Sequence, residues 1–528
     1  MLRDKIRAAL VESLKVPNII VTHTKDFKFG EYTTNVAFRL ASEMKCAPDG
    51  VAKRIVKEIK VPDFVDKVQT VGGYINFYLK EGFLRSILKD IVNKGENYGR
   101  GEPKPQSVLI EFVSANPTGP LNVVNGRAAT VGDTLVRTFG FRGYNVASEY
   151  YVNDAGRQVQ LLGESIKSHY YKLQGRDYPF PEDGYRGDYV RGIAQRMIDE
   201  GRTDFVEFGV SLMVEEHKRT LERFGVRFDY WIHESKIREI GIIDKVLQIL
   251  KNKGLTYEHD GALWLRTSRF GDDKDRVIIK KDGEYTYFLP DIAYHLNKIE
   301  RGFDKLINLW GPDHYGYVPR MKAAIEALGY PKDTLEVLII QQVTLLTGGG
   351  KAKMSKREGR FVTLSSLIDE IGTDAARFFF LMRKWDKPLE FDVELAKQQS
   401  MENPVYYVQY AYVRTLSILR KAEEAGISME GLTEANLKLL KEKEELDLIR
   451  QLIYFPEILE DVVNEREPHL IVFYLMELAR NFHHYYEHHR VLGVEPELSL
   501  ARLCLIKGLN NVFGKGLELI GVARPTRM

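Results

Sequence analysis

The chain has 528 residues, 44% hydrophobic and 28% charged. That length and balance describe two to four globular domains with a sizeable core and exclude a disordered or fibrous chain. The formal net charge of +2 rules out an overall basic coat, though a local basic face needs no such bias. Two distant cysteines, Cys46 and Cys504, make neither a disulfide framework nor a paired zinc motif, and suit a reducing cytoplasmic setting. Charges throughout "MLRDKIRAALVESLKV" argue against a signal peptide, and no apolar run approaches the roughly 18 residues of a membrane span.

The first region covers about residues 1–100. Leu2, Ile6, Leu10 and Leu14 recur every four residues, which predicts an amphipathic helix. "PDGVAKRIVKEIKV" predicts a second helix, with Asp49 as N-cap and Val51, Ile55 and Ile59 on one face. "VGGYINFYLK" alternates as a strand does, so this is a small α+β unit. The stretch from Asn93 to Gln106, rich in Gly, Pro and charge, reads as a linker.

The second region, about 101–400, opens with "SVLIEFVS", apolar enough for a buried parallel strand. "ANPTGPLNVVNGRAA" follows as a turn into a helix that starts near Asn122, with Ala128, Val131, Leu135 and Phe139 on its inner stripe and Gly140 and Gly143 at its end. "NVASEYYVND" is strand-like, which completes a βαβ unit. A mostly helical insertion is expected at about 160–260. The pattern resumes with "LINLWGPDH", a helix through Val318, Met321, Ile325 and Leu328, and the strand "LEVLIIQQV". The expectation is an α/β, Rossmann-like parallel-sheet domain.

The third region, about 401–528, has no convincing strand and reads as an all-α bundle. It holds 15 Lys and Arg against 19 Asp and Glu, a net of −4, so no basic sheath marks it.

Two segments of the second region carry chemistry. The helix start near Asn122 presents unpaired N–H groups and partial positive charge at the carboxyl end of a parallel strand, an anion site in many α/β proteins; a plain βα connection looks the same. "KAKMSKREGR", Lys351 to Arg360, packs four cations into seven residues after the hinge-like "TGGG". Lysines of this kind suit a polyphosphate whose charge grows during reaction, while a solvated basic loop is the plainer reading. Neither a Walker loop nor a GxGxxG fingerprint is present.

The order of the two segments, "NPTGPLNVVN" opening the first βαβ unit and "KMSK" closing the last strand expected in the same sheet, resembles the layout of class I aminoacyl-tRNA synthetases. Lys353, Met354, Ser355 and Lys356 match that class's KMSKS-type loop. "IEFVSANPTGPL", "YYVNDAGRQV", "DGALWLRTSRFGD", "YTYFLPDIAYH", "GPDHYGYVPRM", "DAARFFFLMRKWD", "ENPVYYVQYAYVR" and "GVARPTRM" are similar to arginyl-tRNA synthetases of the bacterial type. "FGEYTTNVAFRLA" and "GGYINFYL" are similar to that family's extra amino-terminal domain. The resemblance spans essentially the whole chain in the family's order.

The resemblance implies ATP-dependent ligation of L-arginine to tRNA(Arg) through arginyl-adenylate, with Mg²⁺ as the companion of ATP, no structural metal, and tRNA needed for the first step. Asn116 would hold the amino-acid head group. Glu111, Tyr287, Asp291 and Gln341, with Glu258 as a weaker addition, would line the arginine pocket, since a guanidinium fork asks for carboxylates and aromatic walls; Glu111 can equally be a structural cap at a strand end. Gly126, Gly311, Asp313, His314 and Ser355 would bind ATP. Lys353 and Lys356 would grip its β- and γ-phosphates, and Asn122 and Asn125 would complete the catalytic set. The helical tail would read the anticodon, and the first domain the tRNA elbow through Tyr32 and Asn35. The protein is expected to be a cytoplasmic monomer. A non-catalytic tRNA-binding relative and a synthetase for another amino acid are the alternatives.

One departure stands out. Where the family usually carries His-x-Gly-His, this chain has Asn122, Val123, Val124 and Asn125. Asparagine donates and accepts as neutral imidazole does, but does not titrate. Val124 occupies space a glycine would leave to adenine, so a shifted or weaker ATP site is expected. Lastly, His484, Glu487 and His488 spell HxxEH, an inverted zinc-protease pattern, read here as packing or tRNA-facing groups. Tyr406, Tyr407, Tyr410 and Tyr412 have the same two readings.

Overall fold

The structure is a computed structural model that describes all residues except 348–349, 352–361 and 430–431. At its centre lies a five-stranded parallel sheet in the order Leu335–Ile339, Lys305–Trp310, Ser107–Glu111, Asn145–Val152, Tyr230–His233. The chain enters at Ser107–Glu111, whose five residues are all buried. It adds two strands on one side, then returns to add two on the other. The order therefore reverses between Ser107–Glu111 and Lys305–Trp310, and at such a switch the helices diverge and leave a crevice at the strands' carboxyl ends.

The Val123–Phe141 helix follows the first of these strands and packs Val131, Leu135 and Phe139 into the core. The Phe288–Glu300 helix covers the other face of the crevice and buries Ile292, Ala293, Leu296 and even Lys298.

Two boundaries differ from the sequence reading. The helical insertion is the trio Arg157–Leu173, Asp188–Glu200 and Phe205–Arg223, with its own core around Leu162, Ile166 and Met197. The part of 160–260 that follows is not insertion. Tyr230–His233 joins the main sheet as an edge strand, and Thr256–His259 begins a separate antiparallel sheet with Ala262–Leu265 and Arg276–Ile279. A four-residue strand is too short for periodicity to reveal. The strand before the lysine-rich segment, Val343–Thr347, is also outside the main sheet; it pairs in parallel with Leu389–Asp392.

The first domain is a four-stranded antiparallel sheet, Thr22–His23, Tyr32–Thr34, Tyr74–Leu79 and Val65–Val71 in spatial order, covered by the helices Leu2–Leu14, Val36–Met44 and Pro48–Glu58. Pro48 opens the last of these at N1, with Ala47 rather than Asp49 as N-cap. The third region is helical: Pro404–Glu424, Lys443–Glu465, His469–His488 and Pro496–Leu519 are its long members.

The first domain docks on the Lys443–Glu465 helix. Glu457 accepts from the Arg3 backbone N–H at 2.8 Å, sits 2.7 Å from His23 Nε2 and 3.4 Å from the Tyr32 hydroxyl. Arg3 forks onto Asp461 at 2.6 and 2.7 Å. Arg450 donates to Glu31 at 2.6 Å, and His23 stacks on Tyr454 with centroids 3.8 Å apart. No helix among the described residues is long and apolar enough to cross a membrane.

Candidate active site

Two adjoining cavities open at the switch point. The inner one, about 370 Å³, is bounded by the ends of the Ser107–Glu111 and Lys305–Trp310 strands and by the Phe288–Glu300 helix. The outer one, about 770 Å³, runs along the start of the Val123–Phe141 helix. They share Ser114, Asn116, Tyr287, Gly311 and His314, so a molecule filling one meets a molecule filling the other at that seam.

The inner cavity has three carboxylates in its wall: Glu111, Glu234 and Asp291. Each arrives from a different element, which is how a site at strand ends is usually assembled. Glu111 ends a strand. Glu234 follows the end of Tyr230–His233, and Asp154 pins that corner by accepting from Ser235 N at 2.9 Å and pairing with His233 Nδ1 at 2.8 Å. Asn153, with its amide oriented to donate, reaches Glu234 Oε2 at 2.9 Å. Asp291 lies in the first turn of its helix, and Tyr317 donates to its Oδ2 at 2.5 Å.

The electrostatics separate the three. Burial works to raise the Glu111 carboxyl, but the Lys298 ammonium outweighs it and leaves the group below its ordinary range. Burial pushes Asp291 up; the Tyr317 hydrogen bond pulls it down, the Glu234 and Glu111 charges push it further up, and it settles at about 7. Burial, helped by Lys298, pushes His295 down to about 4, so that ring is neutral. Acidic walls of this kind, with one carboxyl raised by burial, suit a cationic ligand.

The outer cavity presents the turn. Asn122 is the N-cap of the Val123–Phe141 helix: its Oδ1 accepts from Val124 N at 2.9 Å and Asn125 N at 3.0 Å, while Asn125 Oδ1 accepts from Asn122 N at 2.9 Å. Both side-chain carbonyls thus accept from the backbone, and the two amide NH₂ groups are the donors the pair can offer at the cavity wall. Val124 lines the same wall, half-buried. Gly311 opens the "GPDH" turn, where a Cβ would lie 2.6 Å from Asp313 Oδ1; bare backbone faces both cavities there. Asp313 and His314 flank it, exposed and 3.5 Å apart.

Lys353, Ser355 and Lys356 lie outside the described residues. Just past them, Thr363 forms an isolated antiparallel bridge with Asn122, and Leu364 N donates to Leu121 O at 2.8 Å. Thr363 and Leu364, the described residues that follow, thus lie against the asparagine turn.

Asn116 and Tyr287 sit at the seam; Asn116 Nδ2 donates to Gln158 Oε1 at 2.6 Å, and Tyr287 is 67% exposed. Four expected site residues are placed elsewhere. Gly126 faces the core: a Cβ there would come 2.7 Å from Leu364 Cδ1 and 3.0 Å from Phe380 Cε2, so it is a packing glycine. Gln341 lines neither cavity, and its backbone carbonyl accepts from Arg127 Nη1 at 2.9 Å. Glu258 is exposed on the separate antiparallel sheet. Tyr32 is fully buried against Glu457 and Tyr454, out of reach of a macromolecular ligand; Asn35 beside it is exposed.

Glu234, Asn153 and Tyr317 are site residues that sequence reasoning missed. Glu234 had a signal: like Glu111, it is an acidic residue at the end of a strand-like run, "YWIHE". The HxxEH group is not packing, for His484, Glu487 and His488 are all exposed, with ligand atoms within 4.8 Å of one another. The four clustered tyrosines, 406, 407, 410 and 412, are half-buried.

Comparison with known proteins agrees with this architecture. Three family models match in sequence: the arginyl tRNA synthetase N terminal domain over residues 1–79, the catalytic domain of tRNA synthetases class I (R) over 87–177 and 196–401, and the DALR anticodon binding domain over 408–528. The arginine–tRNA ligase of Aquifex aeolicus is 43% identical over the whole of both chains. That of Bacillus subtilis is 44% identical over all of this chain and 98% of its own. Among solved structures, Thermus thermophilus arginyl-tRNA synthetase superposes over the full length of both chains with a TM-score of 0.82 at 23% identity, a likeness of fold. Full-length identity at this level, with all three domain models in order, places the chain in the arginyl-tRNA synthetase family of class I synthetases.

Proposed function

We propose that this protein ligates L-arginine to tRNA(Arg) at the expense of ATP. The observation that carries the reading is the seam: an acid-walled cavity sized for one amino acid adjoins a helix-capped turn suited to a nucleotide.

In this reading the guanidinium enters the inner cavity, where Asp291 accepts from its planar fork of donors, Glu234, paired with Arg238, adds to the acidic wall, and Tyr287 closes the mouth. Asn116 holds the head group at the seam. ATP lies in the outer cavity against the backbone at Gly311, with Asp313 and His314 beside it and the amides of Asn122 and Asn125 along its phosphates. An arginine carboxylate oxygen attacks the α-phosphorus, the bond to the β-phosphate oxygen breaks, and pyrophosphate leaves. The reaction needs no covalent enzyme intermediate, only positioning and stabilisation of the charge on the departing pyrophosphate. Lys353 and Lys356, with Ser355, supply that stabilisation. A terminal ribose hydroxyl of tRNA then attacks the arginyl carbonyl and AMP departs.

Mg²⁺ arrives with ATP as part of the substrate, and Asp313 is a carboxylate oxygen donor in the right wall for it. The helical third region reads the anticodon and the first domain, with Asn35 on its surface, meets the tRNA elbow. The enzyme works as a cytoplasmic monomer.

Arginine-dependent exchange of pyrophosphate into ATP, with and without tRNA(Arg), tests the proposal. Exchange with arginine only when tRNA is present is the expected result. No exchange under any condition points to a tRNA-binding protein without catalysis, and exchange with a different amino acid points to another specificity.

A further inference from the structure

Beneath the inner cavity runs a buried chain of side-chain contacts whose order can be assigned. His295 Nδ1 lies 2.7 Å from the Asp291 carbonyl. A carbonyl only accepts, so Nδ1 carries the proton and Nε2 accepts. Asn308 Nδ2 donates to that Nε2 at 3.0 Å, which fixes the amide so that Oδ1 accepts from Lys298 Nζ at 3.2 Å. Lys298 also donates to Glu111 Oε2. The other Glu111 oxygen accepts from Ser114 Oγ at 2.9 Å, and Tyr151 N donates to the same Oγ at 3.1 Å.

Ser114 is no ordinary anchor. It and Val113 are consecutive non-glycine residues with φ of 38° and 69°, the left-handed region that a β-branched residue rarely enters. This pair turns the chain out of the Ser107–Glu111 strand and into Ala115 and Asn116 at the seam. Two side chains hold it: Glu111 accepts from the Ser114 hydroxyl within the pair, and the Tyr150 hydroxyl meets Ala115 N at 3.1 Å and Ala115 O at 3.0 Å just beyond it.

Lys298 in turn has one partner that depends on it. Glu149, 3.8 Å away, already pairs with Arg301 and accepts the Tyr294 hydroxyl at 2.6 Å. Among the described residues, Glu111 pairs with no cation besides Lys298. Both oxygens of Glu111 are therefore engaged from within, as are those of Glu234, which accepts from Arg238 on Oε1 at 2.6 Å and from Asn153 on Oε2 at 2.9 Å; among the described residues Asp291 accepts only on Oδ2, from Tyr317.

Building on the arginine reading, we propose that Lys298 is a positioning residue for amino-acid recognition. It draws Glu111 down to clamp the Val113–Ser114 turn, and leaves Asp291 as the carboxylate that meets the guanidinium. Glu111 is then a brace for the site rather than a direct ligand of the substrate.

The test separates bracing from mere stability. Lys298→Met leaves a buried unpaired carboxylate and is expected to lower Tm and raise the arginine KM about tenfold, with the ATP KM changed by less than about twofold. The double variant Lys298→Met/Glu111→Gln removes both charges. It is expected to regain most of the lost Tm while its arginine KM stays raised by about fivefold or more. An arginine KM that returns to the parent value in the double variant, or that never rises in a folded Lys298→Met, overturns the proposal. Should Lys298→Met fail to fold, the double variant decides alone. The comparison is a ratio to the parent for whichever amino acid the parent activates, so a failure of the arginine reading shows in the parent and a failure of the Lys298 role shows in the ratio.

Discussion

Tyr317 donates its hydroxyl to Asp291 Oδ2 at 2.5 Å, the strongest local support for charge on a carboxyl that burial nevertheless raises to about 7. A guanidinium favours the ionised form, so arginine should expel the proton as it binds. Below pH 7 affinity should weaken, by about tenfold between pH 8 and pH 6. Titration calorimetry in buffers of different ionisation enthalpy reads this as proton release; a flat profile with no released proton refutes it. The stability sign is opposite to that of a salt-bridged carboxylate. The folded pKa is raised from 3.8 to about 7, so the empty fold binds more protons than the unfolded chain in that window and loses stability as pH rises through it. Arginine should therefore raise Tm more at pH 8 than at pH 6. Tyr317→Phe should move the affinity limb to higher pH.

The asparagine turn should be insensitive to pH where a histidine pair would titrate. Asn122→Ala removes the cap and should cost about 1 kcal/mol of stability in urea unfolding, together with a raised ATP KM. Restoring the family pattern by Asn122→His, Val124→Gly and Asn125→His should lower the ATP KM and introduce a limb near pH 6–7. An ATP KM unchanged by the triple substitution would show that Val124 takes no space the nucleotide needs.

Gly126→Ala tests the packing assignment. The new methyl meets Leu364 and Phe380, and overpacking of this kind costs about 1–3 kcal/mol. Equilibrium unfolding should report the loss while the ATP KM holds; a specific rise in ATP KM without loss of stability would return Gly126 to the nucleotide site.

Glu457 gathers a backbone N–H, a histidine and a tyrosine from the first domain. Glu457→Ala should cost about 1.5–3 kcal/mol at this interface and speed proteolysis in the expected linker, Asn93–Gln106, past the helical residues Glu81–Lys94 and Gly95–Asn97 that occupy its start. Cleavage at an unchanged rate would show that the remaining contacts suffice.

Legibility in the sequence followed the range of the interactions. The Ser107–Glu111 strand, the helix start near Asn122 and the amphipathic helices were readable because each depends on neighbours within one or two turns. The two cavities were half readable: Asn116, Tyr287, Asp291, Gly311 and His314 do converge. Glu234 and Tyr317 join them only through strand order and helix placement, which no local pattern encodes. Gly126 follows a phosphate-type turn and so reads as functional, while the structure packs it against Leu364, more than two hundred residues away. Tyr32 misled for the same reason, its partner Glu457 lying 425 positions along the chain.

That last separation bears on how the protein is made. The first domain's sheet leaves the ribosome well before its cover, for the helix that meets Arg3, His23 and Tyr32 is translated more than 400 residues later. At about 5–20 residues per second the nascent domain waits roughly 20–90 s with that face bare. During synthesis this surface is a natural landing place for a chaperone, and a truncated transcript would release a product with its sticky side uncovered.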